Sequence, residues 1–196
     1  SLPVGGPYYF WITADIVSNA TAGRTITIGA MADTDFTLAS GTKSGSAAAS
    51  GTQTIVAPSV TVAAGSAVAA GNIGQNTTNN IVSTIAMTVT NAAATVNSIV
   101  FSNTGTANYT DDITNYKLYY TGTTNTFSTG TLLGTITSGT TFSSLTQTMA
   151  VGGPYYFWIT ADMKPAATVG STIIISSISN TNITFASGTK SGNNNA

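Results

Sequence analysis

The stretch VGGPYYFWITAD runs from Val4 to Asp15 and returns without a change from Val151 to Asp162, an offset of 147 residues (151 minus 4). The similarity continues past this stretch, and about 27 of the 43 positions from Pro3 to Gly45 match their counterparts at the same offset. An internal repeat determines the architecture of a chain before any single residue does. The sequence therefore predicts one complete repeat preceded by the last part of another.

The offset also predicts where the repeats begin and end. We expect residues 1–45 to be the C-terminal part of a preceding β-sandwich repeat and residues 46–58 to be a linker of low complexity. Residues 59–192 are then a complete repeat, and residues 193–196 are the start of the next linker. A remnant of 45 residues is near the size at which domains stop folding alone. We therefore expect its missing strands to come from a longer protein or from a partner.

Short runs rich in β-branched and aromatic residues, separated by turn residues, predict strands throughout the chain. In the first copy of the repeated stretch, large side chains occupy both faces of the predicted strand: Tyr8, Phe10, Ile12 and Ala14 on one, and Tyr9, Trp11 and Thr13 on the other. A strand with aromatic residues on both faces is expected at the centre of a sheet, covered on both sides. The expected core anchors are the paired aromatic residues Tyr8 and Tyr155, Phe10 and Phe157, and Trp11 and Trp158.

The fold class expected from these strands is all-β. No segment shows the periodicity of an amphipathic helix, and the alanine-rich residues 63–70 are flanked and interrupted by glycine. Short strands with regularly spaced turns are typical of an antiparallel β-sandwich. We therefore expect tandem antiparallel β-sandwich repeats.

Composition argues against two classes of partner. Five cationic and six acidic residues give a net charge of -1, so the chain has no basic surface for nucleic acid. No apolar run is long enough to cross a membrane, so we expect no membrane insertion. Low charge combined with many β-branched residues is typical of chains that associate through strand edges.

Catalytic chemistry is not expected. Histidine and cysteine are absent, which excludes the usual nucleophile–base pairs and the usual zinc ligands. All six acidic residues are aspartates, and Asp15 and Asp162 occupy the same repeat position. Asp33 and Asp35 become asparagine in the second copy, which is unexpected for a catalytic pair. We therefore predict no enzyme activity, no catalytic residues and no cofactor.

Two pairs of aspartates are calcium candidates, because carboxylate oxygens are the ligands that calcium prefers. They are Asp111 with Asp112, and Asp33 with Asp35. Neither pair has the spaced carboxylates and glycine of a dedicated calcium loop. The favoured interpretation of the first pair is a turn held by Asp and Asn side chains before the next strand.

The complete unit resembles a family of known domains through four segments. These are Ile99–Asn108, Asp112–Thr129, Tyr155–Asp162 and Ala167–Gly170. They are similar to immunoglobulin-like β-sandwich repeats from secreted proteins of Bacteroidetes-type bacteria, the type also assigned to the N-terminal domain of BNR-repeat neuraminidases. The resemblance covers roughly residues 60–187 and implies tandem modules in exported surface proteins, including adhesins. It implies no catalytic residues.

The function expected from the repeat and the resemblance is structural. We expect a repeat module of a long extracellular adhesin or surface filament at the cell surface, giving reach and end-to-end stacking. Its expected partners are neighbouring copies of the repeat, in the same chain or through strands from another chain. The alternative is a carbohydrate-binding module of a secreted glycosidase, with a glycan as ligand and surface tyrosines such as Tyr109 as its contacts.

Overall fold

The computed structural model describes Leu2, residues 4–17 and residues 20–194. The chain divides into two units, Ser1–Val56 and Ala57–Ala196. The described residues form β-strands and two short 3-10 turns, and no α-helix occurs among them. The all-β class expected from the sequence is therefore confirmed. The division between the units lies inside the expected linker, residues 46–58.

The first unit contains four two-residue strands: β1 (Thr25–Ile26), β2 (Met31–Ala32), β3 (Ser46–Ala47) and β4 (Gln53–Thr54). β1 pairs with β4 and β2 pairs with β3, both antiparallel, and a 3-10 turn covers Asp33–Asp35. None of the described residues from 2 to 56 is buried. Isolated two-stranded ladders without a core are marginal at best. This unit therefore has no core of its own within the described residues.

The second unit contains ten strands and a 3-10 turn at Asn180–Asn182. The strands are β5 (Ser59–Ala64), β6 (Asn80–Thr90), β7 (Ala94–Val100), β8 (Ile113–Tyr120), β9 (Leu132–Ile136), β10 (Thr141–Phe142), β11 (Gln147–Met149), β12 (Gly152–Met163), β13 (Ile183–Phe185) and β14 (Thr189–Gly192).

These strands form two sheets. The larger has six strands in the order β14-β5-β6-β12-β8-β9. In the smaller, β7 pairs with β13 along one edge and with β10 and β11 along the other. Buried apolar residues from both sheets, such as Val89 and Phe157 from one and Val96 and Ile99 from the other, belong to one core cluster. The second unit is therefore sandwich-like, with its core between the two sheets.

β10 and β11 are separate strands because Ser144 between them has a φ of 56°, a left-handed conformation that interrupts a strand. Two details, the pairing of β14 and the position of Asn194, differ from the sequence expectation. Every ladder is antiparallel except one, since β14 runs parallel to β5. Asn194, expected in a linker, is buried in the second unit, whereas Asn195 and Ala196 lie outside the described residues.

Candidate functional site

The second copy of the repeated stretch lies at the centre of the larger sheet. β12 pairs antiparallel with β6 along one edge and with β8 along the other. Phe157 stands opposite Ile85 on β6 and Tyr120 on β8. Because a strand alternates its side chains between faces, Phe157, Ile159 and Ala161 point into the core between the sheets. The intervening residues point to the outer face of the sheet.

The aromatic side chains of β12 are fixed on both faces. Phe157 is fully buried and its ring centroid lies 5.0 Å from that of Tyr120. On the outer face, Trp158 packs against Phe127 at 5.8 Å and donates its Nε1–H to Thr121 Oγ1 at 2.9 Å. A buried indole that satisfies its single donor stabilises without leaving an unpaired polar group. Both faces of this strand are therefore covered.

The last residue of the repeated stretch joins a buried polar network on the outer face. Asp162 Oδ2 lies 2.6 Å from Lys117 Nζ, and Asp162 Oδ1 accepts the backbone N–H of Asn79 at 2.7 Å. The side-chain oxygen of Asn79 accepts from Lys117 Nζ at 3.2 Å and from the Tyr119 hydroxyl at 2.8 Å. A buried carboxylate is tolerated only when it is paired and hydrogen-bonded, and this network provides both.

The sequence reasoning did not identify Lys117, Asn79 or Tyr119. One signal was present, because an aspartate that ends a strand buried on both faces needs a cationic partner, and the chain has only five cations. The choice of Lys117 follows from the register of β8 against β12, which periodicity alone does not give.

The first copy of the stretch lies in a different environment. Residues 4–17 are described but belong to no strand. Trp11 is 87% exposed and Phe10 is 76% exposed, whereas Trp158 is 4% exposed and Phe157 is fully buried. Tyr8, Phe10 and Trp11 therefore occupy no core in this structure, unlike the expectation. The physical reason is that the described residues before 57 form no strands like β6 and β8 that pair with them.

Downstream of the stretch, the two copies share local structure. Ala32 pairs with Ser46 in the register in which Ser179 bridges Asn193. Both copies have a 3-10 turn at the same repeat position, Asp33–Asp35 and Asn180–Asn182. Lys43 Nζ donates to the carbonyl of Phe36, and Lys190 Nζ donates to the equivalent carbonyl of Ile183. These contacts are local in sequence, so they form in both copies.

The Asp111–Asp112 pair forms a turn rather than an open ligand group. Asp112 is buried, and its carboxylate accepts the backbone N–H of Thr168 at 2.7 Å and that of Asn108 at 3.1 Å. The exposed Asp111 accepts from the side-chain amide of Asn108 at 3.2 Å. Burial acts to raise the pKa of Asp112, but hydrogen bonds from Thr168, Asn108 and Ser171 outweigh it and lower the pKa below its ordinary value.

The other calcium candidates are also separated from further ligands. Asp35 Oδ2 accepts the backbone N–H of Ala32 at 2.8 Å, which holds the 3-10 turn. Among the described residues, no group of three or more His, Cys, Asp or Glu side chains comes together. Neither aspartate pair is therefore part of a larger carboxylate cluster in this part of the chain.

Tyr109 is half-buried and packs against the core of the second unit. Its ring packs edge-on against Tyr116 at 5.6 Å, and its hydroxyl donates to the carbonyl of Gly139 at 2.8 Å. Burial raises the pKa of Tyr109 to about 12. The ring is partly buried against the core, so Tyr109 also has a packing role, and its role as a glycan contact stays a prediction.

The second unit also contains a cleft of about 1230 Å³. It is lined by residues 64–73, 80–84 and 167–175, together with Gln75, Met163 and Asn194. Asn194 accepts the backbone N–H of Ile178 and donates to the carbonyl of Thr84, so its amide is satisfied by the protein. None of the lining residues is titratable, so the cleft offers no acid–base group.

Comparisons with known proteins give no family assignment. No protein-family model matches the chain, and no curated protein matches it.

No helix among the described residues has the length and apolar character required to span a membrane.

Proposed function

We propose that the chain is part of a tandem array of immunoglobulin-like sandwich repeats in a long extracellular adhesin or surface filament. Its role is structural, giving reach and end-to-end stacking of units at the cell surface. The cell-surface location rests on the resemblance to secreted Bacteroidetes-type repeats. The sandwich-like second unit and the exact internal repeat support the tandem arrangement.

One observation carries the proposal. The same twelve residues form a buried central strand in the second unit and an exposed, non-strand segment in the first. Exposed aromatic side chains on both faces of a segment are unfavourable in water. The first copy therefore requires neighbouring strands like β6 and β8, which a preceding repeat or a neighbouring chain would supply.

Imaging of the native material by electron microscopy tests this function. We expect thin fibres with an axial repeat of about 40–50 Å, from strands of 5–10 residues at about 3.3 Å per residue plus loops and linker. A denaturing gel then separates the two sources of the strands. A ladder or a very large band indicates a covalent array, and a single band near 19.8 kDa indicates separate subunits. Dispersed particles without any axial repeat would contradict the proposal.

A second candidate function is carbohydrate binding, and the exposure of Tyr9, Phe10 and Trp11 is the observation that favours it. Aromatic faces can stack on sugars, but the identical residues of the second unit are not all accessible. Glycan-array binding by the full chain that disappears with Trp11→Ala, at unchanged stability, would favour this function. If glycan binding persists in both Trp11→Ala and Tyr9→Ala, the exposed aromatic residues of this segment are not the glycan-binding surface.

A further inference from the structure

The second unit is completed by its own last third. We call residues 57–150 the body and residues 151–192 the resident segment. Within the resident segment, β12 lies between β6 and β8 of the body, β13 pairs with β7, and β14 pairs with β5. The body without this segment would lack the central strand of its larger sheet.

We propose that residues 4–45, here called the N-terminal segment, bind the body of a second copy of this chain in the position of the resident segment. This inference deepens the proposed function and rests on its repeat. It names the partner surface as the slot between β6 and β8, and the occupant as the N-terminal segment of another copy. The slot of each folded copy is filled by its own resident segment, so the N-terminal segment can bind only a copy whose resident segment is displaced.

The first argument is the near-identity of the strand that enters the slot. Within the second unit, Trp158 lies opposite Thr84 and Tyr119, and Asp162 pairs with Lys117. The N-terminal segment has the same residue at each position of this strand except the last, where Ile16 corresponds to Met163. The counterparts of Phe157, Trp158 and Asp162 are therefore unchanged in volume and charge, and the one exchange in the strand, at the position of Met163, keeps an apolar side chain.

The second argument concerns the core positions after the strand. Ile175 has an identical counterpart in Ile28. The other counterparts exchange one apolar side chain for another: Ile178 for Met31, Ile183 for Phe36, and Phe185 for Leu38. Cores tolerate apolar exchanges best when the total volume is kept, and here the larger Phe36 is accompanied by the smaller Leu38. Thr168, whose backbone N–H binds Asp112, has an identical counterpart in Thr21.

The third argument explains why the resident segment occupies the slot in this structure. Lys164 Nζ donates to the carbonyls of Tyr109 and Thr110, each at 2.6 Å. Its counterpart in the N-terminal segment is Val17, which donates no side-chain hydrogen bond. The resident segment therefore binds the body more favourably when both are present. The N-terminal segment enters a body whose resident segment is displaced or absent.

Mixing two full-length variants tests this inference. The acceptor carries Phe10→Asp and Phe157→Asp, which prevent its N-terminal segment and its resident segment from entering a slot. It also carries Trp11→Phe and Trp158→Phe, which remove its tryptophans. The donor carries only Trp158→Phe, so Trp11 is the single tryptophan in the mixture. After joint refolding we expect a one-to-one complex and a Trp11 as protected from acrylamide as Trp158 is in the unmodified chain.

The matched control is a donor that also carries Phe10→Asp, which we expect not to bind. Cysteine provides a register test, because the chain has none of its own. Thr160 stands opposite Ile81 in the structure, so Thr13→Cys in the donor and Ile81→Cys in the acceptor should form a disulfide in the complex. If the aspartates prevent refolding, Phe10→Ala and Phe157→Ala replace them in the same design.

Three results would overturn the inference: donor and acceptor that stay separate, equal binding of the control donor, or a complex without the disulfide. These outcomes are distinguishable from failure of the proposed function. Native material without fibres contradicts the filament but leaves the variant mixture informative. If native material forms fibres but the variants form no complex, only the inference that the N-terminal segment binds in the slot is contradicted.

Discussion

At the residue scale, the effect of a side chain in this protein depends on the strands around it. Asp162 is held by Lys117 and by the backbone of Asn79, so its charge is buried but paired. Asp15 has the same sequence neighbours on its N-terminal side but is exposed. The identity of a residue therefore determines its capacity for contacts, and the sheet determines which of them form.

The two tryptophans give a matched pair of substitutions. Trp158→Ala removes a buried ring and the hydrogen bond to Thr121, so it should lower the free energy of unfolding by about 3–5 kcal/mol. Trp11→Ala in the isolated chain should change it by less than about 0.5 kcal/mol, because Trp11 is exposed. Denaturant unfolding followed by circular dichroism measures both values. Equal effects of the two substitutions would show that Trp11 also lies in a core.

Asp112 predicts a defined pH dependence. Its folded pKa is lowered, so its contribution to stability is complete above the unfolded value, about 3.9, and is lost as pH falls through the folded pKa. In Asp112→Asn, one of the two backbone N–H groups faces an amide nitrogen and loses its acceptor. The free energy of unfolding at pH 7 should therefore fall by about 1–3 kcal/mol. Denaturant titrations between pH 7 and pH 2 should show this difference shrinking below about pH 4.

The control for Asp112 is the exposed neighbour Asp111. Asp111→Asn should leave unfolding at pH 7 nearly unchanged, since surface substitutions usually have effects within about 0.5 kcal/mol. An Asp112→Asn variant whose difference from the unmodified chain stays constant from pH 7 to pH 2 would contradict the account of this carboxylate.

At the element scale, the strand β12 was the most predictable part of the fold. The alternation of large side chains along its sequence predicts which residues share a face. In the structure, Phe157 and Ile159 point into the core and Trp158 lies on the opposite face. The parallel pairing of β14 with β5 was not predictable, because the two strands are far apart in sequence. Sheet pairing depends on non-local neighbours more than on local propensity. The same reason explains why an identical sequence forms no strand in the first unit.

Two equivalent glycines test the contact that closes the larger sheet. Gly188, just before β14, has a φ of 103°, and a Cβ there would lie too close to the carbonyl oxygen of Pro58. Gly41 is its repeat counterpart, with a φ of 100° and no atom within 4 Å of an added Cβ. Both alanine substitutions introduce backbone strain, but only Gly188→Ala also introduces a collision.

We therefore expect Gly188→Ala to lower the midpoint of denaturant unfolding of the second unit by the equivalent of about 2 kcal/mol or more. Gly41→Ala should leave that midpoint unchanged, because Gly41 belongs to the first unit. A Gly188→Ala variant as stable as Gly41→Ala would show that β14 does not close against β5 as described.

At the scale of the whole molecule, the chain contains one body, the resident segment that completes it, and an N-terminal segment of similar sequence that we propose completes the body of another copy. The internal repeat can be read from the sequence, and the need for strands from outside stays a prediction. The buried polar network around Asp162 was not, because it depends on which loop and which strand meet the outer face of the sheet. The central claim is that the first copy of the repeated stretch is a central strand once its neighbours are present.

Hydrogen exchange of the native assembled material tests this claim most directly. The two copies yield distinct peptides, because Ile16 follows one stretch and Met163 follows the other. Mass spectrometry can therefore compare the amides of residues 8–15 with those of residues 155–162. We expect equal, strong protection of both in the assembly, since amides in a central strand exchange only on large-scale opening. Fast exchange of residues 8–15 beside protected residues 155–162 would contradict the account.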